Sequence, residues 1–171
     1  MTSASSLLGA AGEHFVMCQL LRNGFIAALA PAGVPNCDIV VTDDIGDRLC
    51  AIQVKTRREI GSDGGWHMRK KHETIVGKRL FYTFLDFGTS PTEPPTCYVI
   101  PSQRVAEVLT LAHSTWLATP GKKGQQRQDG DLRRLLPDYD RMGISIGCGP
   151  GWLEPYREAW NSLVEHYGRN R

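Results

Sequence analysis

Cysteine pairs are the first thing this chain lacks. Cys18, Cys37, Cys50, Cys97 and Cys148 are scattered, odd in number and never at Cys-x-x-Cys spacing. Such spacing argues against a disulfide framework and against a structural zinc site, and leaves most of the cysteines as small buried fillers. A long apolar run is also missing. The longest nearly apolar stretch, Phe25 to Ala32, is far too short to span a bilayer, and Met1-Thr2-Ser3-Ala4-Ser5-Ser6 has no basic region leading into an apolar core. The expectation is a cytoplasmic protein with no membrane partner. There is no Walker-type phosphate loop, which argues against nucleotide binding, and no internal repeat or low-complexity tract. Charge of one sign is scarce too. Twenty Lys and Arg stand against 18 Asp and Glu, a net +2, so any role with nucleic acid depends on local patches.

What is present suits an ordinary globular chain. Its 171 residues are 41% hydrophobic and 22% charged. That length fits one domain, divided here into an α/β core over 1–118 and a C-terminal extension over 119–171 packing on the same domain. Ser5 or Ser6 is placed to cap a helix running to Asn23-Gly24, with Leu7, Leu8, Ala11, Phe15, Cys18 and either Leu21 or Arg22 as its buried stripe. Strands are expected at Phe25–Leu29, Asp38–Thr42, Ala51–Thr56, Arg79–Phe87 and Thr96–Ile100, the second and third forming a hairpin across Asp43 to Asp47. Residues 72–78 suit a short helix. Ser102 is placed to cap a helix whose apolar face is Val105, Val108, Leu109 and Ala112. A last helix is expected from Glu154 to Tyr167. This order describes a mixed β-sheet flanked by helices.

The chemistry concentrates in Ala51-Ile52-Gln53-Val54-Lys55-Thr56. Alternation puts Ile52 and Val54 on one face of the strand and Gln53 and Lys55 on the other. A lysine over a central sheet is costly unless it is paired. Asp38 lies 15 positions before Gln53 and opens the neighbouring strand. A carboxylate, an amide oxygen and a lysine then converge at one sheet edge. Such oxygens suit Mg²⁺, and the set suits metal-assisted phosphodiester hydrolysis.

The series Asp38…Gln53-Val54-Lys55 resembles the PD-(D/E)-x-K nuclease superfamily, in the branch where glutamine replaces the middle acid. Glu13, in the early helix, matches the extra acid that many of its branches carry there. The likeness covers roughly residues 5 to 100; Cys37 stands where the motif's proline is expected, and Pro35 lies two further back. The resemblance implies a restriction-endonuclease-like α/β fold and a Mg²⁺-dependent endonuclease acting on DNA, with Mn²⁺ as a substitute ion. Asp38, Gln53 and Glu13 would hold the metal, and Lys55 would orient the attacking water. A homodimer is the natural way for so small a nuclease to cut both strands.

Beyond the motif, Trp66, His67, Arg69, Lys70 and Lys71 follow a glycine-rich loop and suit a phosphate clamp in which Trp66 stacks on a base. Lys122 and Lys123 suit a second arm on a polar loop. Two other classes stay open on the residues alone: a nucleic-acid-binding protein that keeps the scaffold without turnover, and an interaction subunit docking through the tail around Trp160. Gly143-Ile144-Ser145-Ile146-Gly147 matches Gly-x-Ser-x-Gly, but glycines and a proline follow where a hydrolase needs a helix, so the match is read as chance.

Overall fold

A computed structural model describes residues 3–46, 49–58, 64–121 and 123–165. The chain opens with helix α1 (Ala4–Arg22), capped by Ser3, whose hydroxyl accepts from the Ser6 amide at 3.2 Å, and not by Ser5 or Ser6. Strands β1 (Ile26–Leu29), β2 (Ile39–Thr42) and β3 (Cys50–Arg57) follow as an antiparallel meander. Strand β4 (Trp66–Arg69) runs into a 3-10 turn over Lys70–Glu73. Strand β5 (Leu80–Asp86) lies parallel to β3, and β6 (Thr96–Pro101) lies antiparallel to β5. Helix α2 (Ser102–Ala118), strand β7 (Leu132–Leu135) and the short helix α3 (Ser162–Glu165) complete the order. The main sheet runs β1-β2-β3-β5-β6, and β4 pairs with β7 in a separate two-stranded ribbon.

The sheet carries apolar side chains on both faces, so each face must be covered. On one side Val16 and Leu20 of α1 meet Ile39, Val41, Ile52, Val54, Phe81 and Leu85, joined by Trp160 and Leu163 from the tail. On the other, α2 and the β4–β7 ribbon cover Tyr82, Phe84 and Ile100. Leu135, Tyr139 and Leu153 belong to that second core, together with Val105, Val108 and Leu109 of α2.

Several sequence expectations change here. The buried line of α1 is Gly12, Val16 and Leu20, while Leu7 and Leu21 are 61% and 52% exposed. This helix has apolar residues on more than one side, so periodicity alone did not choose its inner face. Ser102 does not cap α2: its hydroxyl donates to the Gly77 carbonyl and accepts from the Gly77 amide, both at 3.0 Å. The expected helix over 72–78 is replaced by the 3-10 turn Lys70–Glu73. The long tail helix is not formed over 157–161. Arg157 is extended and bridges Tyr98 on the edge of the sheet, and Glu158 follows with φ +47°. An extra bridge to β6 thus outcompetes the helical periodicity of the tail. Residues 166 and 167, also assigned to that helix, lie outside the described residues. Gly143 and Gly147 have φ of +70° and +72°, with exposed Ser145 in the bend between them, so the Gly-x-Ser-x-Gly match sits in a turn.

Candidate active site

The site forms where β2 stops. Its ladder with β3 covers only Ile39↔Ile52, Val40↔Ala51 and Val41↔Cys50, whereas β3 continues to Arg57. Asp38 immediately precedes the paired residues, in a bend. Its amide donates to the Ile52 carbonyl at 2.9 Å, and its Oδ2 accepts from the Val54 amide at 2.7 Å. The carboxylate thereby takes the place of the strand carbonyl that would have continued the ladder. Two residues earlier Asn36 adopts φ +60° and turns the chain away, leaving the edge of β3 open.

Alternation assigns the faces. Ile39, Ile52 and Val54 pack in the core beneath α1. Gln53 and Lys55 therefore share the opposite face, with Tyr82 and Phe84 as register partners on β5, while Asp38 stands at the end of β2, close enough for its charge to act on Lys55. Helix α1 reaches this edge from the other side because it approaches β3 closely at Gly12. A Cβ there would overlap the Thr56 hydroxyl. The next residue, Glu13, is half-buried and lies within electrostatic reach of both Asp38 and Lys55.

Burial raises the Glu13 carboxyl above the usual range and the Asp38 charge raises it further, against smaller opposing effects of His14 and Lys55. Burial pulls Lys55 below an ordinary lysine; Asp38 opposes this, Lys71 adds to it and Glu13 opposes it again. Lys71 thus belongs to the same neighbourhood. Its ammonium donates to Asn36 Oδ1 at 3.2 Å, beside the Asp38 turn. It is carried there by the 3-10 turn, which Arg133 ties to β7. Arg133 is 4% exposed, and its guanidinium bonds Glu73, Asp129 and the carbonyls of Gly130 and Leu132.

Beneath Gln53 lies a polar patch that sequence reasoning missed. Gln53, Tyr82 and His72 are 7%, 0% and 3% exposed. Burial pushes the Tyr82 hydroxyl up to about 12 and pulls His72 below its usual value. A histidine at the end of a basic run carries no sequence signal of burial. Gly12 did carry one, since a glycine inside a helix costs about 1 kcal/mol unless close packing requires it.

The expected phosphate clamp is rearranged. Trp66 is on a strand rather than a loop and is 1% exposed. Its indole N–H donates to the Leu85 carbonyl at 3.0 Å, and the Arg57 guanidinium sits 3.8 Å from its ring centroid. Contrary to the clamp expected from the sequence, its ring fills the core and has no open face for a base. Arg69 and Lys70 are exposed but paired, with Asp131 and Asp129, each at 2.6 Å. His67 is exposed next to Arg134, with an N···N distance of 3.1 Å. Lys123 is exposed on the loop after α2, and Lys122 lies outside the described residues. No helix among the described residues is long and apolar enough to cross a membrane.

Among the described residues no group of three or more His, Cys, Asp and Glu side chains is arranged to hold a metal. The side chain at position 53 is an amide and stands outside that set. The donors that do converge are hard oxygens. The Glu13 and Asp38 carboxylates repel each other, and the Gln53 Oε1 is buried with no hydrogen-bond partner. A small divalent cation would relieve both conditions, so the residues fit Mg²⁺ or Mn²⁺.

No family model and no curated protein matches this chain. Solved structures do. The bacterial homing endonuclease I-Ssp6803I is similar with a TM-score of 0.53 at 17% identity, over 96% of this chain and 94% of the other. The Holliday junction resolvase Hjc of the archaeal hyperthermophile Archaeoglobus fulgidus is a looser likeness, with a TM-score of 0.44 at 16% identity over 78% of this chain and 88% of the other. With its five-stranded mixed sheet flanked by helices, the chain has a restriction-endonuclease-like α/β fold.

Proposed function

We propose that this protein is a divalent-metal-dependent endonuclease that hydrolyses phosphodiester bonds in DNA. What supports the reading is that the Asp38 carboxylate is bonded to the backbone of β3 between Gln53 and Lys55, and that the charges of Asp38 and Glu13 both act on Lys55. The fold shared with a homing endonuclease agrees with it.

Asp38 and the Gln53 oxygen would hold the ion directly, and Glu13 would complete the set. When bound, Mg²⁺ supplies Lewis-acid polarisation of the phosphate and lowers the cost of deprotonating water. The rest is the work of the protein's own side chains. The bond from the Asp38 carboxylate to the Val54 amide fixes that oxygen against the sheet and leaves Oδ1 for the site. Lys55 is half-buried and rigidly based on the central strand, so it orients the attacking water for in-line displacement and balances negative charge on phosphorus. Lys71, beside Asn36, meets the phosphate from the open side.

Counting formal charges, Glu13 and Asp38 offset Lys55 and Lys71, so the site by itself is close to neutral. Ion and phosphate therefore favour each other's binding, and free-metal affinity is weak. A homodimer, presenting two such sites, would cut both strands of a duplex.

The test is nicking of supercoiled plasmid in Mg²⁺ and in Mn²⁺, with Lys55→Ala and Asp38→Ala as controls. Metal-dependent cleavage lost in both variants is expected. Cleavage that survives both variants, or that persists in excess EDTA, would overturn the reading. DNA binding with no cleavage by the wild-type protein would support the scaffold-only alternative, which the amide at position 53 favours.

A further inference from the structure

One edge of the main sheet is both apolar and unpaired. Gly24 to Pro35 is a run of twelve residues without a charged or hydrogen-bonding side chain, and β1 lies inside it. Ile26 and Leu29 are 51% and 38% exposed, and Ala28 is exposed as well. β1 is the end strand of the sheet, and among the described residues no strand pairs with its outer side. Edge strands usually carry a lysine, an inward charge or a bulge that discourages further pairing. β1 has no charge at all, and Pro31 lies beyond its end.

The hydrogen bonds to β2 show which groups this edge offers. The Ala30 amide donates to the Asp38 carbonyl at 2.9 Å, so residue 30 faces β2, and by alternation residues 28 and 26 do too. The N–H and C=O groups of Ala27 and Leu29 therefore point outward. Their neighbours limit the ladder, because the Phe25 amide already donates to the Leu20 carbonyl at 3.0 Å and Pro31 has no N–H. A second β1, run antiparallel about a two-fold axis at Ala28, offers the same four groups in matching order. Ala27 of each copy then exchanges both bonds with Leu29 of the other. This register also sets each large side chain against a small one. Ile26 meets Ala30 on one face, Leu29 meets Ala27 on the other, and the two Ala28 side chains meet on the axis. Neither copy brings a charge into the contact, so like surfaces do not repel.

We propose that β1 is a homodimer interface, in which two copies join edge to edge and their five-stranded sheets become continuous. The interface is small. A standard one has roughly 20–30 residues a side, more than the twelve of this run, so the dimer is concentration-dependent. The pairing does not rest on the metal-site reading, but it gives that reading a geometry. Ala27, Ile39, Val41 and Ile52 pack beneath α1, so Ala28 and Val40 lie on the opposite face, which is the face of Gln53 and Lys55. A two-fold axis normal to the sheet keeps that face on one side in both copies. Both sites then open on the same side of the joined sheet, towards a single duplex.

The test is sedimentation equilibrium of the full chain, without DNA or metal. It compares the wild type, Ala28→Lys, Ala28→Glu and an equal mixture of the two variants. Residue 28 is exposed in the single chain, so both variants should keep the wild-type urea midpoint. The wild type should self-associate. Each variant alone should dissociate at least about tenfold more readily, because like charges then stand directly opposite on the axis. The mixture should recover association, since lysine then meets glutamate. Leu29→Pro deletes an outward N–H and leaves the β1–β2 ladder intact, so it should weaken self-association as well. A wild-type chain still monomeric at about 1 mM would overturn the proposal. So would variants that associate as strongly as the wild type, or a mixture that recovers nothing. Cleavage is not read here, so the dimer and the nuclease reading fail separately.

Discussion

The close contact of α1 with β3 can be tested with two glycines of one helix. Nothing lies within 4 Å of a Cβ built on Gly9, whereas one built on Gly12 would overlap the Thr56 hydroxyl and crowd its Cβ and Cγ2 at 3.0 and 3.1 Å. Alanine is the better helix former by about 1 kcal/mol, so Gly9→Ala should stabilise the protein by roughly that amount. Gly12→Ala gains the same propensity but overpacks the helix–sheet contact, at a cost of about 1–3 kcal/mol. The difference between the variants should therefore be about 1–3 kcal/mol, or roughly 1 M in the urea midpoint for m near 2 kcal/mol/M. Thr56 Oγ1 is buried without a hydrogen-bond partner, so Thr56→Ala removes the nearest obstacle without breaking a bond. The Cβ of residue 56 stays 3.0 Å from the added methyl, so in the Thr56→Ala background the gap between the two alanine variants should narrow markedly without closing. Urea unfolding followed by circular dichroism of the six proteins measures all of this. If Gly12→Ala stabilises the wild-type chain as much as Gly9→Ala does, the helix is not pressed against Thr56 and the placement of Glu13 loses its cause.

Among the basic residues after β4, Lys71 should dominate DNA binding, since Arg69 and Lys70 already have carboxylate partners. Lys71→Ala should flatten the salt dependence of binding by about 0.9 in log–log slope, more than Arg69→Ala or Lys70→Ala, by anisotropy across a KCl series. If the three alanine variants have equal slopes, their ion pairs do not matter in solution. Gln53→Glu should bind Mn²⁺ more tightly in calorimetry, on the order of tenfold or about 1.4 kcal/mol, and unchanged binding would remove Gln53 from the ligand set. Burial raises the Cys50 thiol from 9.0 to about 11. The fold holds that proton more tightly than the unfolded chain does, so the contribution is complete below about pH 9 and is lost as pH rises towards 11. Urea unfolding should show a loss on the order of 2–3 kcal/mol over that interval, and Cys50→Ala should lose correspondingly less. Identical pH profiles for the two proteins would refute the assignment.

Local rules located most of the sheet. Alternation in Ile52 to Lys55, the β-branched run at 39–42 and the aromatic-rich run at 80–86 describe half-buried and buried strands, and these strands are present. Period two also decides that Gln53 and Lys55 leave one face together, because in a strand that choice needs no partner. The α2 face of Val105, Val108, Leu109 and Ala112 was legible for the same reason, at helical period. Local rules failed where a distant segment supplied the stabilisation. Trp66 and Leu135 are 69 positions apart, and only their pairing turns an apparent loop into a buried ribbon. Arg157 left a helical pattern for a bridge to Tyr98.

By itself the sequence determined the chemical inventory and its strand-borne half: an acid, an amide and a lysine in fixed order, with the latter two side by side. Tertiary structure alone decided that β2 ends where Asp38 can bond Val54, that Gly12 brings Glu13 to the same edge, and that Lys71, His72 and Tyr82 join them. The physical reason is range. Side-chain direction along a strand is set by neighbouring backbone sterics, whereas burial, electrostatic coupling and unpartnered hydrogen-bonding groups arise only when segments far apart in the chain share one low-dielectric volume.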